Sequence, residues 1–341
     1  MTDDVDVGVL RKGTEGLSMA DYAEALRERL PDHNVAHART PAEERELVRH
    51  VPVVTGVGID EALLDRAERL RLFASAFSGV GHLPLDALRE RGVAVTNAAG
   101  IHAPGIAEQV LGYVLSFARR LDEAWRRQQR REWRHYRAHE LTGSTVTVVG
   151  LGAIGTAVVR RLAGFDVETI GVRYTPGKGG PTDEVVGFDP DALHDAYART
   201  DYLVLACPLT DETRGLIDAA AFATLPPEAV LVNVARGPIV DTAALVDALR
   251  AESIRGAALD VTDPEPLPAD HQLWTLENCL VTPHMGGHTP EHWPRLADIV
   301  ARNVRELDAS GLLAPSSRGD SQSSPLDDGL PDLENLVLPS R

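Results

Sequence analysis

The run Gly150-Leu151-Gly152-Ala153-Ile154-Gly155 constrains this chain more than any other stretch, because of what stands on either side of it. An apolar run, Val146-Thr147-Val148-Val149, precedes it, a helix-like run from Thr156 to Leu162 follows, and a second strand then ends at Val172. Strand, glycine loop, helix and strand in this order form the context that a dinucleotide fingerprint requires. The first two glycines let the backbone turn and approach a pyrophosphate, and the third lets helix and strand pack closely. The helix N-terminus offers unpaired N–H groups and a partial positive charge to the phosphates. Arg173 stands eighteen residues past Gly155, at the end of the second strand. That place usually carries an acidic residue that accepts hydrogen bonds from ribose hydroxyls. A guanidinium has no acceptor for a hydroxyl but suits a 2′-phosphate. The expected cofactor is NADP(H), with NAD(H) open if Arg173 is only a surface charge at a strand end.

A length of 341 residues suggests two domains, each large enough to bury its own core. In the first hundred residues, strands are expected at 5–10, 35–38, 51–55, 70–74 and 93–96, and helices at 18–30, 43–50, 61–66 and 84–91. This alternation implies a parallel sheet covered on both faces. A long helix is expected from Gly105 to about Arg130. Strands at 145–149, 169–172, 202–205, 230–233, 256–259 and 279–282 then make a second, doubly wound domain of six strands. A helix after Pro290 runs to about Ser310 and returns to the first domain. Residues 311–341, rich in Ser, Pro, Asp and Gly, read as a disordered tail.

The formal net charge is −17, from 51 acidic against 34 basic residues, and the only lysines are Lys12 and Lys178. Such a surface argues against nucleic acid and against anionic lipid as partners. It fits a chain kept soluble at high ionic strength, so a halophilic, haloarchaeal origin is expected. The arginine-rich stretch 126–137 reads as a solvated helix face or a contact between domains or subunits. Cys207 and Cys279 lie in apolar runs and read as buried, reduced thiols rather than a disulfide or metal pair, and no metal site is expected. The acidic N-terminus lacks an apolar signal region and no run approaches a membrane span, so a cytoplasmic location is expected.

Three polar residues each follow an apolar, strand-like run: Arg236 after Val230–Ala235, Glu265 after Ala258–Val261, and His284 after Leu280–Pro283. In an open parallel sheet, groups at the carboxyl ends of strands face the crevice where ligands bind. Any one of them alone has a structural explanation, but the three in this order behind a dinucleotide loop point to chemistry at a nicotinamide.

With these residues in view, the chain resembles the D-isomer-specific 2-hydroxyacid dehydrogenase family over roughly residues 5 to 310. The resemblance rests on five segments. They are residues 149–155, the run from Cys207-Pro208-Leu209-Thr210 to Ile217, Asn233-Val234-Ala235-Arg236-Gly237-Pro238 through Asp241, Ala258-Leu259-Asp260 through Asp263-Pro264-Glu265-Pro266-Leu267, and Thr282-Pro283-His284-Met285-Gly286-Gly287 through Thr289. It implies an α/β fold of two domains, each a parallel sheet with helices on both faces. A Rossmann cofactor domain, residues 98–290, would be inserted into a flavodoxin-like substrate domain made of residues 1–97 and 291–310. It also implies a homodimer, paired through the cofactor domain, acting on a small molecule.

Reducing a 2-keto acid needs a carboxylate anchor and a proton donor for the developing alkoxide. By resemblance Arg236 would clamp the substrate carboxylate or carbonyl oxygen, His284 would deliver the proton, and Glu265 would hold the imidazole. Ser78, Gly79 and Val80 would form a second carboxylate cradle, although Gly81 stands where the family often has an aspartate. Cofactor contacts would come from Gly150, Gly152, Ala153, Ile154, Gly155, Arg173, Tyr174, Thr175, Cys207, Pro208, Thr213, Val234, Ala235, Gly286 and Gly287. Asp260 would hold the nicotinamide carboxamide. The reading is an NADPH-preferring reductase of a small 2-keto acid, of the glyoxylate and hydroxypyruvate reductase kind. Phosphoglycerate dehydrogenase is the alternative enzyme, disfavoured because Ser75 and Ala76 offer no charge for a phosphate and no regulatory domain follows residue 310. A non-catalytic, cofactor-sensing protein of the corepressor kind is the alternative outside enzymes.

Overall fold

Short strands of valine, leucine and alanine alternate with helices along the chain, and most of their side chains are buried on both faces. The computed structural model describes residues 5–13, 16–313 and 331–337. The elements in order are β1 (Val7–Val9), α1 (Met19–Arg29), β2 (Val35–His37), α2 (Pro41–His50), β3 (Val53–Gly56), α3 (Glu61–Leu64), β4 (Leu72–Ser75), α4 (Leu85–Glu90) and β5 (Ala94–Thr96). There follow α5 (Ala103–Arg119), α6 (Leu121–Arg130), β6 (Thr145–Val149), α7 (Ala153–Leu162), β7 (Glu168–Val172), β8 (Glu184–Val186), α8 (Pro190–Ala198) and β9 (Tyr202–Leu205). The last are α9 (Ala219–Thr224), β10 (Val230–Asn233), α10 (Thr242–Arg250), β11 (Gly256–Leu259), β12 (Cys279–Val281) and α11 (His292–Ala309). The chain divides into two units, Met1–Ile101 with Pro290–Arg341, and His102–Thr289.

In the first unit five parallel strands lie in the order β2-β1-β3-β4-β5. This is the flavodoxin-like order. Side chains alternate across the sheet with the two-residue period of a strand. Leu72 and Ala74 pack into the cluster made with α1 and α11, while Phe73 packs into the opposite cluster with Leu47, Leu64 and Leu88 from α2, α3 and α4. Tyr22 of α1 is fully buried, shares a 2.8 Å hydrogen bond with Thr55, and stacks on Trp293 of α11 at 4.8 Å.

The second unit holds seven parallel strands in the order β12-β11-β10-β9-β6-β7-β8. From β6 the chain adds β7 and β8 on one side, then returns to add β9 through β12 on the other. The reversal falls between β6 and β9, and in such sheets ligands bind at that switch point, beyond the carboxyl ends of the strands. Val146 and Val148 face α5 and α7, and Val149, Leu203 and Leu205 face the layer of α8, α9 and α10. Asp189, Asp218 and Asp241 cap the starts of α8, α9 and α10 through their side chains.

The structure differs from the expectations in three places. The helix expected from Gly105 to about Arg130 is two, because Arg120 adopts a left-handed conformation with φ 50° and ends α5. Beyond it α6 buries no residue, so no apolar face draws it into line with α5. Its arginines pair along the helix, Arg126 with Asp122 and Arg127 with Glu123, both at 2.5 Å. The second sheet has β8, a seventh strand of three residues, too short to show a period. Residues 331–337 of the expected tail are bound to the first unit: Leu333 is 4% exposed in its core, and Thr96 and Leu336 form an antiparallel bridge. The remainder of that tail, 314–330 and 338–341, lies outside the described residues. Among the described residues no helix is long and apolar enough to cross a membrane, and no cluster of three potential metal ligands occurs.

Candidate active site

At the switch point Gly150 has φ +98°, and an added Cβ would stand 2.6 Å from the Cys207 backbone. The loops after β6 and β9 therefore touch, and only glycine fits. A Cβ on Gly155 would stand 1.9 Å from Gly150 O, so α7 starts against the loop itself. Gly152 at the N-cap of α7 provides no side-chain cap, which leaves first-turn amides for a ligand. These features fit a bound dinucleotide.

A hollow of about 470 Å³ opens beside this loop, lined by Gly150, Gly152, Arg173, Tyr174, Thr175 and Lys178 on one side and Cys207, Pro208, Glu212 and Thr213 on the other. Arg173 is half-buried and donates from Nη1 to Gly179 O, which fixes its guanidinium against the turn after β7. Lys178 adds a second cation that the sequence reading missed; its signal was its rarity, one of two lysines in the chain, five residues after Arg173. Glu212 opposes them, and its carboxyl sits below the usual range because backbone and Thr210 hydrogen bonds favour the anion. The Thr213 hydroxyl accepts from Thr210 N at 2.8 Å and donates to Pro208 O at 2.7 Å, so it shapes the loop. Burial pushes the Cys207 thiol up to about 11 and the Cys279 thiol up to about 12; both cysteines are free, and Cys207 is buried as expected while Cys279, at the edge strand β12, is only partly buried.

The three polar residues stand after adjacent strands: Arg236 after β10, Glu265 after β11 and His284 after β12. Asn233 at the end of β10 is buried; its Nδ2 donates to Arg236 O at 3.1 Å and its Oδ1 accepts from Ala235 N at 3.0 Å. Val234 and Ala235 are each 5% exposed, and Arg236 is exposed. A Cβ on Gly237 would stand 1.9 Å from Thr262 O, so the arginine loop lies backbone to backbone on the segment leading to Glu265. Glu265 Oε1 accepts from Thr262 N at 2.9 Å, and Oε2 lies 3.1 Å from His284 Nδ1. The carboxylate thus has one oxygen fixed by the backbone and one on the imidazole.

His284 has φ 50°, a left-handed conformation that costs a non-glycine residue about 1 kcal/mol or more. Asp260 over-determines it. Its backbone oxygen accepts from His284 N at 2.8 Å, Oδ1 from Met285 N at 3.0 Å, and Oδ2 from Gly286 N at 2.9 Å. Asp260 Oδ1 also accepts from Gln109 Nε2 at 2.8 Å and Thr282 Oγ1 at 2.5 Å, and Tyr113 OH meets Thr282 Oγ1. Burial raises the Tyr113 hydroxyl above its ordinary range. Asp260 is 4% exposed, and these donors keep its charge satisfied. The sequence reading assigned Asp260 to the nicotinamide; the geometry makes it first the anchor of the histidine segment. Gly286 and Gly287 allow that packing, since added Cβ atoms would meet Asp260 Oδ2 at 3.0 Å and the His102 ring at 2.4 Å.

A second hollow of about 430 Å³ lies against His284 and Glu265, with Leu267 and Trp274 as apolar walls that sequence reading did not single out. The larger hollow, about 840 Å³, lies near Glu228, Arg255 and Asn278, which precede strands, and so opens at the opposite edge from these groups.

A seven-stranded doubly wound sheet with a glycine loop at its switch point defines a dinucleotide-binding α/β protein. Residues 111–286 match the D-isomer specific 2-hydroxyacid dehydrogenase NAD binding domain. The chain is 35% identical over 276 residues to glyoxylate reductase/hydroxypyruvate reductase of Mus musculus, covering 79% of this chain and 80% of that protein. It is 34% identical over 288 residues to D-3-phosphoglycerate dehydrogenase of Methanocaldococcus jannaschii, covering 83% of this chain but 54% of that protein, so it spans about half that relative's length. Among solved structures, a D-isomer specific 2-hydroxyacid dehydrogenase from Xanthobacter autotrophicus Py2, in complex with NADPH and MES, matches with TM-score 0.73 and 30% identity, over 90% of this chain and 96% of that one. The chain belongs to the D-isomer specific 2-hydroxyacid dehydrogenase family.

Proposed function

We propose that the chain reduces a small, unphosphorylated 2-keto acid to the D-2-hydroxy acid and prefers NADPH as donor. The observation that carries this reading is the 3.1 Å contact of His284 Nδ1 with Glu265 Oε2 at the carboxyl edge of a dinucleotide-binding sheet. Bound NADPH supplies a hydride for the carbonyl carbon. As negative charge grows on the carbonyl oxygen, Arg236 stabilises it. His284 gives its proton to that oxygen from Nε2, the ring nitrogen turned away from Glu265. Glu265, fixed by Thr262 N, keeps the ring in register, and His284 regains a proton from solvent after each turnover. Ser78, Gly79 and Val80 hold the substrate carboxylate. Arg173 and Lys178 take the 2′-phosphate.

The name of the mouse relative makes glyoxylate and hydroxypyruvate the first substrates to try, with pyruvate and branched keto acids beside them. Ser75 supports the absence of a substrate phosphate. It is fully buried and its Oγ accepts from Phe77 N at 3.2 Å, so it brings no cation. Replacing His284 by alanine lowers kcat by about a hundredfold or more; an undiminished kcat refutes its role. A homodimer in a halophile's cytoplasm completes the reading, supported by the family resemblance and the net charge of −17. A monomer by sedimentation in molar KCl removes the first part, and an unfolding midpoint independent of KCl removes the second.

A further inference from the structure

The segment 331–337 is bound along its length to the first unit, and its Asn335 contacts one short stretch, residues 97–99. Leu333 sits in the core beside α11. Glu334 exchanges two hydrogen bonds with the buried Asn303, donating from N at 2.8 Å and accepting at O at 3.0 Å. Asn335 has φ 57°, a conformation asparagine tolerates better than most residues. Its Nδ2 donates to Asn97 O at 3.2 Å and to Ala99 O at 2.9 Å, while its own backbone oxygen accepts from Asn97 N at 3.2 Å. Val337 N then donates to Val95 O at 2.7 Å.

The stretch 97–99 faces a second partner with its remaining groups. Asn97 Nδ2 donates to Ser78 O at 2.8 Å, Ser78 Oγ donates to Ala98 O at 3.2 Å, and Ala98 N donates to Phe77 O at 3.1 Å. The loop after β4 is otherwise held at its ends, by Phe77 N on Ser75 Oγ and by Val80, which packs on the core and accepts from Leu83 N. Phe77, Ser78 and Gly79 are exposed, and nothing lies within 4 Å of where a Cβ on Gly79 or Gly81 would stand. A cradle of backbone N–H groups works only if its loop stays in place.

We propose that residues 331–337 form a strap that sets the position of Ser78, Gly79 and Val80 through residues 97–99, with Asn335 as its positioning residue. The consequence for turnover rests on the reading of that loop as the substrate's carboxylate cradle. In the full chain, Asn335→Gly keeps the left-handed backbone and removes the side-chain amide. Amide hydrogen exchange at Ala98, whose N–H donates to Phe77 O, should quicken, and KM for the keto acid should rise roughly tenfold, the scale of one or two lost hydrogen bonds. kcat and the NADPH dissociation constant should stay within about twofold, a split that general destabilisation does not give. Asn97→Ala should act alike, and the double variant should show no more than the larger single effect, because both cut one path. Asn335→Asp carries the same test if the glycine variant does not fold. Unchanged exchange at Ala98 in both Asn335 variants overturns the strap. Faster exchange with an unchanged KM upholds the strap and overturns the cradle reading instead.

Discussion

Replacing Gly155 by alanine tests the glycine loop severely. The new Cβ would stand 1.9 Å from Gly150 O and 3.0 Å from Gly150 C. A carbon and an oxygen without a bond between them need roughly 3.3 Å, so loop and helix must separate by more than about 1 Å. Both neighbours are backbone. Gly150 cannot yield easily, because its N–H donates to Val172 O at 2.8 Å and its φ is +98°. Overpacking of this kind costs about 1–3 kcal/mol, and a rigid backbone neighbour places it near the top of that range. A displacement of about 1 Å in a positioning element costs roughly a hundredfold in turnover. Gly155→Ala should therefore melt earlier, bind NADPH more weakly, and lose about two orders of magnitude in kcat/KM. Gly152→Ala is the control. No atom lies within 4 Å of its Cβ and its φ is −82°, so the free protein should keep its stability. Gly152 lines the hollow beside the loop, so NADPH binding alone should weaken. Denaturant melts of the free protein and NADPH fluorescence titrations read both effects. A Gly155→Ala protein with wild-type midpoint and affinity refutes the close-approach reasoning.

Exchanging Arg173 for Asp should weaken NADPH by roughly ten- to a hundredfold, the scale of one charge-assisted contact, and relatively favour NADH; an unchanged preference in steady-state rates shows that Lys178 or another group selects the phosphate. Asp260→Asn must turn an NH2 toward one of four donors at a buried site, which costs about 2 kcal/mol and loosens the His284 segment, so midpoint and kcat should fall together; a wild-type melt contradicts the anchoring role. Because burial lifts Cys207 to about 11 and Cys279 to about 12, their thiolates should be scarce at pH 8 and grow only as pH climbs toward those values. Iodoacetamide labelling of Cys207 in the native protein should then run about a hundredfold or more below an exposed thiol, and rapid labelling of Cys207 at pH 8 would show that this thiol is not buried in solution.

The glycine loop was legible because its chemistry is local: Gly150 and Gly155 are required by contacts within the motif and with one neighbouring strand end. Arg236, Glu265 and His284 were legible for a related reason. Each follows an apolar run, and in a parallel sheet every strand's end is brought to one edge. The anchoring network was not. Gln109 and Tyr113 reach Asp260 and Thr282 across more than a hundred and fifty residues, and nothing near either pair marks the meeting. The break at Arg120 carries no glycine or proline to announce it. The strap escaped because 331–337 binds through backbone groups and a few scattered side chains, Leu333, Glu334, Asn335, Leu336 and Val337, in a segment whose composition resembles a tail.

The most direct test of the catalytic reading is a set of initial rates in molar KCl for a panel of 2-keto acids, each with NADPH and NADH, comparing the wild-type chain with His284→Ala. The expected result is turnover of glyoxylate or hydroxypyruvate, faster with NADPH, and lower by about a hundredfold or more in the variant. Tight NADPH binding with no turnover of any keto acid by the wild-type chain contradicts it.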